Sequence, residues 1–286
     1  MKNVKGGLTV LKEVMESLPT SEKKVAEYIV TSPAESVLLT AKTLGEKSKT
    51  SSAAVMRLCK SLDFSGFQEL KVRVAADIQS NMDATEYVDI EPNEEYSDII
   101  HKMTMNTIQT LKETAEIIQT SEVKKAVEVL RQATSIIFIG FGASQIAAQD
   151  AAQKFTRIDK NVHCYQDVHM AATAIATKGQ NDVVVGISFS GETNEAVKLM
   201  QLAKNNQVRT ISLTKYGPSS LANISNVNLY TSTSKEAMLR SGATSSRIAQ
   251  LHMVDILFTC FASEEYEDTL QHLDETREAI RFLQDN

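Results

Sequence analysis

Cysteine is scarce in this 286-residue chain. Cys59, Cys164 and Cys260 are far apart, odd in number and form no CxxC pair. Such spacing argues against a disulfide framework and a zinc site, and it suits a reducing compartment. The five histidines show no HExxH or other paired-ligand spacing, so neither a metal nor a resident cofactor is expected. Long apolar runs are missing too. The longest, Ile248 to Ala262, is interrupted by Gln250, His252 and Asp255 and reads as a buried helix, not a membrane span. The opening MKNVKGGLTV lacks the apolar centre of a leader peptide. These absences together predict a cytoplasmic protein that meets no membrane.

Net charge is −6 and 42% of residues are hydrophobic, enough for two domains with sizeable cores. The acidity is uneven. Residues 1–80 hold 12 Lys and Arg against 9 Asp and Glu, and the remainder holds 18 against 27. A mildly basic first segment on an acidic body points to one small region that meets a polyanion.

The most informative stretch is DVVVGISFSGETNE, residues 182–195. Val183, Val184, Val185 and Ile187 form the β-branched run of a strand buried on both faces in a parallel sheet. The run stops at Ser188-Phe189-Ser190-Gly191-Glu192-Thr193. Ala196, Val197, Leu199, Met200 and Ala203 then recur at helical spacing. Strand, tight hydroxyl-rich turn and helix make an anion site, because the first N–H groups of a helix lack intrahelical partners and carry partial positive charge. Gly191 permits close approach, and Ser188, Ser190 and Thr193 add hydroxyl donors. Phosphate is the natural guest. No lysine follows a glycine here as in a nucleotide-binding P-loop, and Ser190 stands where a nucleophile elbow has its second glycine. The plainer alternative is an ordinary capped turn between strand and helix.

The first 80 residues alternate short helical patterns with polar breaks and show no strand. Leu8, Leu11, Val14, Met15 and Leu18 mark a helix ending at Pro19, and Thr20 or Ser21 is placed to cap the next, which Pro33 stops. A short helix follows around Thr40–Lys49. In KTSSAAVMRLCKSL, Ser51 or Ser52 is a good N-cap, and Val55, Leu58, Cys59 and Leu62 form one buried stripe. Ser52, Ala53, Met56, Arg57 and Lys60 occupy the other face. Two short helices joined by a polar turn describe a helix-turn-helix whose second helix enters the DNA major groove. Lys49, Thr50, Ser51 and Ser52 then lie near bases or phosphates, and Arg57 and Lys60 near the backbone, with Lys71 and Arg73 as further phosphate contacts. A capped helical bundle with no nucleic-acid role fits the same pattern. Cys59, on the apolar stripe, reads as a small core residue.

Residues 81–95, acidic and containing Pro92, read as a linker. A long amphipathic helix follows from about Ile99. From Ser135 strands and helices alternate, implying a parallel sheet flanked by helices. Ligands of such sheets bind at the carboxyl ends of the strands. Two turns fall there: Gly140-Phe141-Gly142-Ala143-Ser144 and Ser188–Thr193. The first is similar to a dinucleotide fingerprint, with Asp167 near the end of the second strand, but Gln145 occupies the third glycine's position. Two hydroxyl- and glycine-rich turns converging on one crevice suit a phosphorylated small molecule better. His169, Glu236 and Arg240 are candidates to read its sugar, each equally readable as a solvated or salt-bridged surface residue, and the spacing of Glu236 and Arg240, one helical turn apart, favours a surface pair.

The turns at Gly140–Ser144 and Ser188–Thr193 resemble those of the SIS (sugar isomerase) domain. LGEKSKTSSAAVMRLCKSLDFSGFQELKVR resembles the helix-turn-helix of RpiR-type bacterial transcription regulators, and EAMLRSGATSSRIAQLHMVDILF is similar to the same family. The likeness spans nearly the whole chain in the family's order. It implies an all-α helix-turn-helix domain (1–80), a linker (81–95) and an α/β SIS domain (96–286). It implies that Ser144, Ser188, Ser190, Gly191 and Thr193 hold the phosphate of a sugar phosphate, and that His169, Glu236 and Arg240 contact the sugar. It also implies a palindromic double-stranded DNA operator and a homodimer or homotetramer. One departure is Lys47-Ser48-Lys49-Thr50, where many members have Gly-Val-Ser; a looser turn is the expectation. GGLTVL, AVMRLCKSL and SGATSSRIAQL look most like members answering to N-acetylmuramic acid 6-phosphate or related amino-sugar phosphates.

Two functions follow from these readings. The first is a regulator, not an enzyme, whose DNA binding a phosphorylated amino sugar controls. The alternative is a sugar-phosphate isomerase with an accessory helical domain. Isomerisation needs a placed general base, and Glu236 and His169 are its only candidates, neither with an orienting partner visible in sequence.

Overall fold

The computed structural model describes residues 6–62, 64–80, 92–233 and 244–283. The chain divides into two compact units, Met1–Ile117 and Ile118–Asn286.

The first unit is helical throughout its described residues. α1 (Gly7–Val14) runs into a single 3-10 turn, Met15–Ser17, so the first helix is shorter than its apolar spacing suggests. α2 (Thr20–Thr31) starts on Pro19, whose carbonyl accepts from the N–H groups of Glu22 and Lys23. Neither Thr20 nor Ser21 caps it, because Thr20 is already its first helical residue and the Ser21 hydroxyl accepts from Arg57 instead. Pro33 ends α2 and opens α3 (Pro33–Ser36), a position where its missing N–H and fixed φ carry no penalty. α4 (Ala41–Lys47), α5 (Ser52–Ser61) and α6 (Phe67–Ser80) follow, then the 22-residue α7 (Tyr96–Ile117). Leu11, Val25, Ala26, Ile29, Leu44, Val55, Leu58, Cys59, Leu70 and Val74 are buried at the centre.

α1 is held by two later helices of the unit. The buried carboxylate of Asp77 in α6 accepts from the N–H groups of Gly6 and Leu8, each at 2.7 Å. The Thr9 hydroxyl donates to Glu116 of α7 at 2.7 Å.

The second unit begins with α8 (Thr120–Arg131) and continues as strand–helix repeats: β1 (Ser135–Gly140), α9 (Ala143–Thr156), β2 (Val162–Cys164), α10 (Val168–Ala176), β3 (Asp182–Ile187), α11 (Asn194–Asn205), β4 (Arg209–Lys215), α12 (Ser220–Ile224) and β5 (Val227–Thr231). α13 (Ser245–Glu264) and α14 (Tyr266–Phe282) complete it. All five strands are parallel, in the order β2-β1-β3-β4-β5. Alternate residues of β1 and β3 feed two separate cores. Ile136, Phe138, Val183, Val185, Ile187, Ile211 and Leu213 pack with α8, α9 and α13. Ile137, Ile139 and Val184 pack with α10, α11 and α12 on the opposite face. Burial on both faces explains why the β1 and β3 sequences read as continuous apolar runs, not as alternation. Phe155 anchors the first core, its ring 5.8 Å from Phe138, 5.6 Å from Phe258 and 5.3 Å from Phe261.

Among the described residues no helix is long and apolar enough to cross a membrane, and no His/Cys/Asp/Glu cluster could hold a metal ion. The helix containing the Ile248–Ala262 run is buried on one side; of its interruptions, Asp255 is exposed and His252 half-buried. Gln250 lies on that buried side.

Candidate functional site

The strand order sets the place of the crevice. β1 is followed by α9 on one face of the sheet and leads outward to β2; β3 is followed by α11 on the other face and leads to β4. Neighbouring strands whose connections depart in opposite directions leave an opening at their carboxyl ends. Gly140 and Ile187 are register partners at the ends of β1 and β3. The Gly140–Ser144 and Ser188–Thr193 turns therefore start side by side, one strand spacing (about 4.8 Å) apart.

The Ser188–Thr193 turn is ordered by its own hydroxyls. Gly191 N–H donates to Ser188 Oγ at 3.2 Å, and Ser188 Oγ lies 2.9 Å from Thr193 Oγ1. Ser190 Oγ accepts from Glu192 N–H at 3.1 Å. A serine hydroxyl has one proton and two lone pairs, so Ser190, which accepts from the backbone, keeps its proton for a ligand, while the bonded Ser188–Thr193 pair has one of its two protons left to offer. Thr193 is the N-cap of α11 yet makes no side-chain capping bond, which leaves the first N–H groups of that helix for an outside acceptor. Ser188 is buried and Ser190 exposed, so the donors line the turn from its floor to its rim.

Gly191 has φ +68°, and a Cβ there would collide with the Ser219 side chain. Ser219 in turn caps α12, accepting from Ala222 N–H. The next residue, Ser220, donates to both oxygens of Glu192, from its N–H at 2.8 Å and its hydroxyl at 2.6 Å. These bonds hold the Glu192 carboxyl below its ordinary range, the Ser220 hydroxyl contributing most. The only acidic side chain of the Ser188–Thr193 turn is thereby tied to the start of α12.

Other hydroxyls on the sheet have structural duties. Thr210 and Ser212 of β4 bond to Asn226 and Asn228.

Ser144 stands in the first turn of α9, buried, and its Oγ accepts from Gln250 Nε2 of α13 at 3.1 Å. Gln145, where a dinucleotide fingerprint has glycine, donates to Cys164 Sγ at 3.3 Å. Asp167 is the N-cap of α10 and accepts from Met170 N–H at 2.9 Å, so its carboxylate serves that helix. His169 lies exposed in the first turn of α10, at the same edge of the sheet. Glu236 and Arg240 lie outside the described residues. Ser219, Ser220 and Gln250 were absent from the sequence candidates. A hydroxyl pair after a fourth strand and a lone amide in an apolar helix were the signals available for them.

In the first unit, α4 and α5 form the two-helix element. Thr40 caps α4 by accepting from Thr43 N–H, and Ser51 caps α5 by accepting from Ala54 N–H. The turn between them is tight, contrary to the expectation from its missing glycine. Thr50 N–H donates to Gly45 C=O at 2.7 Å, and the buried Ser48 hydroxyl donates to Leu44 C=O at 2.7 Å. Lys49 itself takes the left-handed conformation, φ 53°, that glycine would supply. Gly45 admits the start of α5: a Cβ there would meet Ser51 C at 2.6 Å.

Lys49, Ser51, Ser52 and Lys60 are exposed, and Thr50 is half-buried. Neither lysine forms an ion pair among the described residues. Arg57 is turned toward α2, its Nε 3.6 Å from the buried carboxylate of Glu22 and its NH2 3.3 Å from Ser21 Oγ. Lys71 donates to Leu39 C=O and lies over the Phe67 ring, while Arg73 pairs with Glu69 and stacks on Phe64. The structure thus assigns both cations contacts within the bundle.

Residues 5–81 match the helix-turn-helix domain of the rpiR family, and residues 129–260 match the SIS domain. The uncharacterized HTH-type transcriptional regulator YbbH of Bacillus subtilis (strain 168) is 42% identical over 97% of this chain and 98% of its own. HexR, an HTH-type transcriptional regulator of Escherichia coli (strain K12), is 31% identical over 96% and 95%. Among solved structures, the Vibrio vulnificus NanR protein complexed with ManNAc-6P superposes with a TM-score of 0.62 at 28% identity, covering 98% of this chain and 100% of that one.

Proposed function

The chain belongs to the rpiR family of helix-turn-helix transcriptional regulators, with a SIS domain, and from that premise we propose that a phosphorylated amino sugar bound in the β1–β3 crevice controls its binding to operator DNA. The observation that carries this reading is the convergence of two donor-rich turns, at Ser144 and at Ser188–Thr193, on the carboxyl ends of adjacent strands. Ser144, Ser188, Ser190, Gly191 and Thr193 bind the phosphate. His169, Glu236 and Arg240 read the sugar. NanR, with ManNAc-6P bound, supports an amino-sugar phosphate as the effector class; N-acetylmuramic acid 6-phosphate is a second member of that class to test.

In the first unit, residues 1–80 supply the DNA-binding domain. α5 enters the major groove with its N-terminal hydroxyls, Thr50, Ser51 and Ser52, toward bases or phosphates, and Lys49 and Lys60 toward the backbone. Arg57, held by Glu22, sets the seat of α5 on α2 and reaches phosphate from there. The operator is palindromic and the regulator a homodimer or homotetramer, matching a two-fold protein to a two-fold site. Control requires only that the effector bind the DNA-competent and DNA-incompetent states with different affinity. The relatives' regulator names support a role without turnover.

Thermal unfolding of the full chain against a panel of phosphosugars, repeated with Ser190→Ala, tests the crevice. A ligand that binds only the folded state stabilises it by about 2.7 kcal/mol at a hundredfold excess over its dissociation constant. The expected result is a raised melting temperature with an amino-sugar phosphate that shrinks in Ser190→Ala, together with a changed operator affinity in a gel-shift assay. Turnover of the same sugar phosphate, detected by product formation, would instead establish the isomerase reading.

A further inference from the structure

The buried side of α13 is a helical stripe of Ala249, Met253, Val254, Leu257 and Phe261, and Gln250 interrupts it. Gln250 is 1% exposed. A primary amide removed from water costs about 1–3 kcal/mol unless its hydrogen bonds are remade. Its described partner is Ser144 Oγ, 3.1 Å from Gln250 Nε2 and also buried. The buried amide nitrogen of Gln250 is therefore directed at the first turn of α9, where β1 ends.

From this contact we propose that Gln250 is a positioning residue that holds Ser144 as a hydrogen-bond donor toward an anion in the crevice. The inference rests on the phosphosugar reading of that crevice and specifies how one of its groups is set. The Gln250 amide donates into a lone pair of Ser144 Oγ, and among the described residues that oxygen has no acceptor for its own proton. A hydroxyl carries a single proton, so filling a lone pair from behind leaves the proton to point forward. The opposite arrangement, a group behind Ser144 that accepts, would take the proton and present only lone pairs, which repel phosphate. Glutamine supplies the donor without a net charge. Glutamate, its isostere, would reverse the polarity once ionised and add a negative charge behind the anion site.

The test measures affinity of the full chain for N-acetylmannosamine 6-phosphate, N-acetylmuramic acid 6-phosphate and inorganic phosphate by calorimetry, from pH 5 to 8. Wild type, Gln250→Met, Gln250→Glu, Ser144→Ala and the double variant Ser144→Ala/Gln250→Met are compared, with circular dichroism confirming each fold. Losing a properly aimed hydrogen bond to a charged group weakens binding about tenfold or more. Gln250→Met is expected to show that loss at every pH. Gln250→Glu should lose more at pH 8 and recover relative to wild type toward pH 5, as the protonated acid again donates to Ser144. In the Ser144→Ala background Gln250→Met should add nothing, because the two residues act as a unit. Additive losses, or Gln250→Glu tracking Gln250→Met across the pH range, would reduce Gln250 to packing and overturn the proposal. Wild-type affinity in both Gln250 variants overturns it too, while leaving the crevice reading intact. Absence of binding by wild type to all three probes removes the crevice reading and this proposal with it.

Discussion

Single side chains in the helix-turn-helix unit divide into those that face solvent and those that hold the bundle together, and charge alone does not separate them. Arg57, proposed to reach a DNA phosphate, also faces the buried carboxylate of Glu22, which accepts from the Ser61 hydroxyl as well. Truncating Arg57 would leave that carboxylate half-satisfied, so its loss affects stability together with any effect on DNA. Glu69 is a second case. Its carboxylate accepts from both the backbone N–H and the hydroxyl of Ser65 and pairs with Arg73. The Ser65 N–H is the largest influence, and the carboxyl is pulled down to about 2. A carboxyl lowered on folding, against an ordinary value of about 4.3, stabilises the fold above that ordinary value and loses the contribution as pH falls toward 2. Glu69→Gln should therefore melt below wild type at pH 6, with the gap closing between pH 4 and 2. A gap that stays constant down to pH 2.5 in a thermal scan would assign the effect to shape instead of charge. Cys59, buried and pushed up to about 11 by desolvation, should resist thiol reagents at pH 8 until the chain unfolds.

At the scale of elements, the turn from α4 to α5 shows how a missing glycine is tolerated. Lys49 in the left-handed region costs about 1–2 kcal/mol relative to glycine, and the Ser48 and Thr50 bonds offset it. Lys49→Gly should raise stability by about 1 kcal/mol in denaturant unfolding while weakening operator binding through the lost cation. Gly45→Ala should act the other way, lowering stability by about 2 kcal/mol because its Cβ meets the backbone of Ser51. The elements themselves were largely legible in the sequence. The apolar runs at Ile136–Ile139 and Val183–Ile187 declared buried strands, and the hydroxyls of Ser51 and Ser52 declared a helix start, of which Ser51 is the cap. What sequence could not give were contacts between residues distant along the chain: Arg57 with Ser21, Ser144 with Gln250, Glu192 with Ser220. Each links residues 28 to 106 positions apart, and local periodicity carries no information about such pairs. The α3 turn was hidden for a different reason, since Pro33 serves equally as a stop for one helix and a start for the next.

For the whole molecule, DNA binding should follow the cations that remain exposed. Releasing counterions from B-DNA gives a slope of log affinity against log salt of about −0.9 per phosphate neutralised. Lys60→Ala should flatten the operator slope by about one, whereas Lys71→Ala, whose ammonium is held by the Leu39 carbonyl, should leave it nearly unchanged. Equal slopes for both variants in a salt titration would remove Lys60 from the interface. The arrangement of the first unit has a bearing on synthesis as well. α1 is translated before its partners Asp77 and Glu116, which lie 69 to 107 residues downstream of the atoms they bind. At about 5–20 residues per second, the ribosome takes roughly 5–20 s to deliver the last of them. For that interval the N–H groups and the hydroxyl that Asp77 and Glu116 hold are without those partners, so α1 stays open to a nascent-chain chaperone until the unit closes.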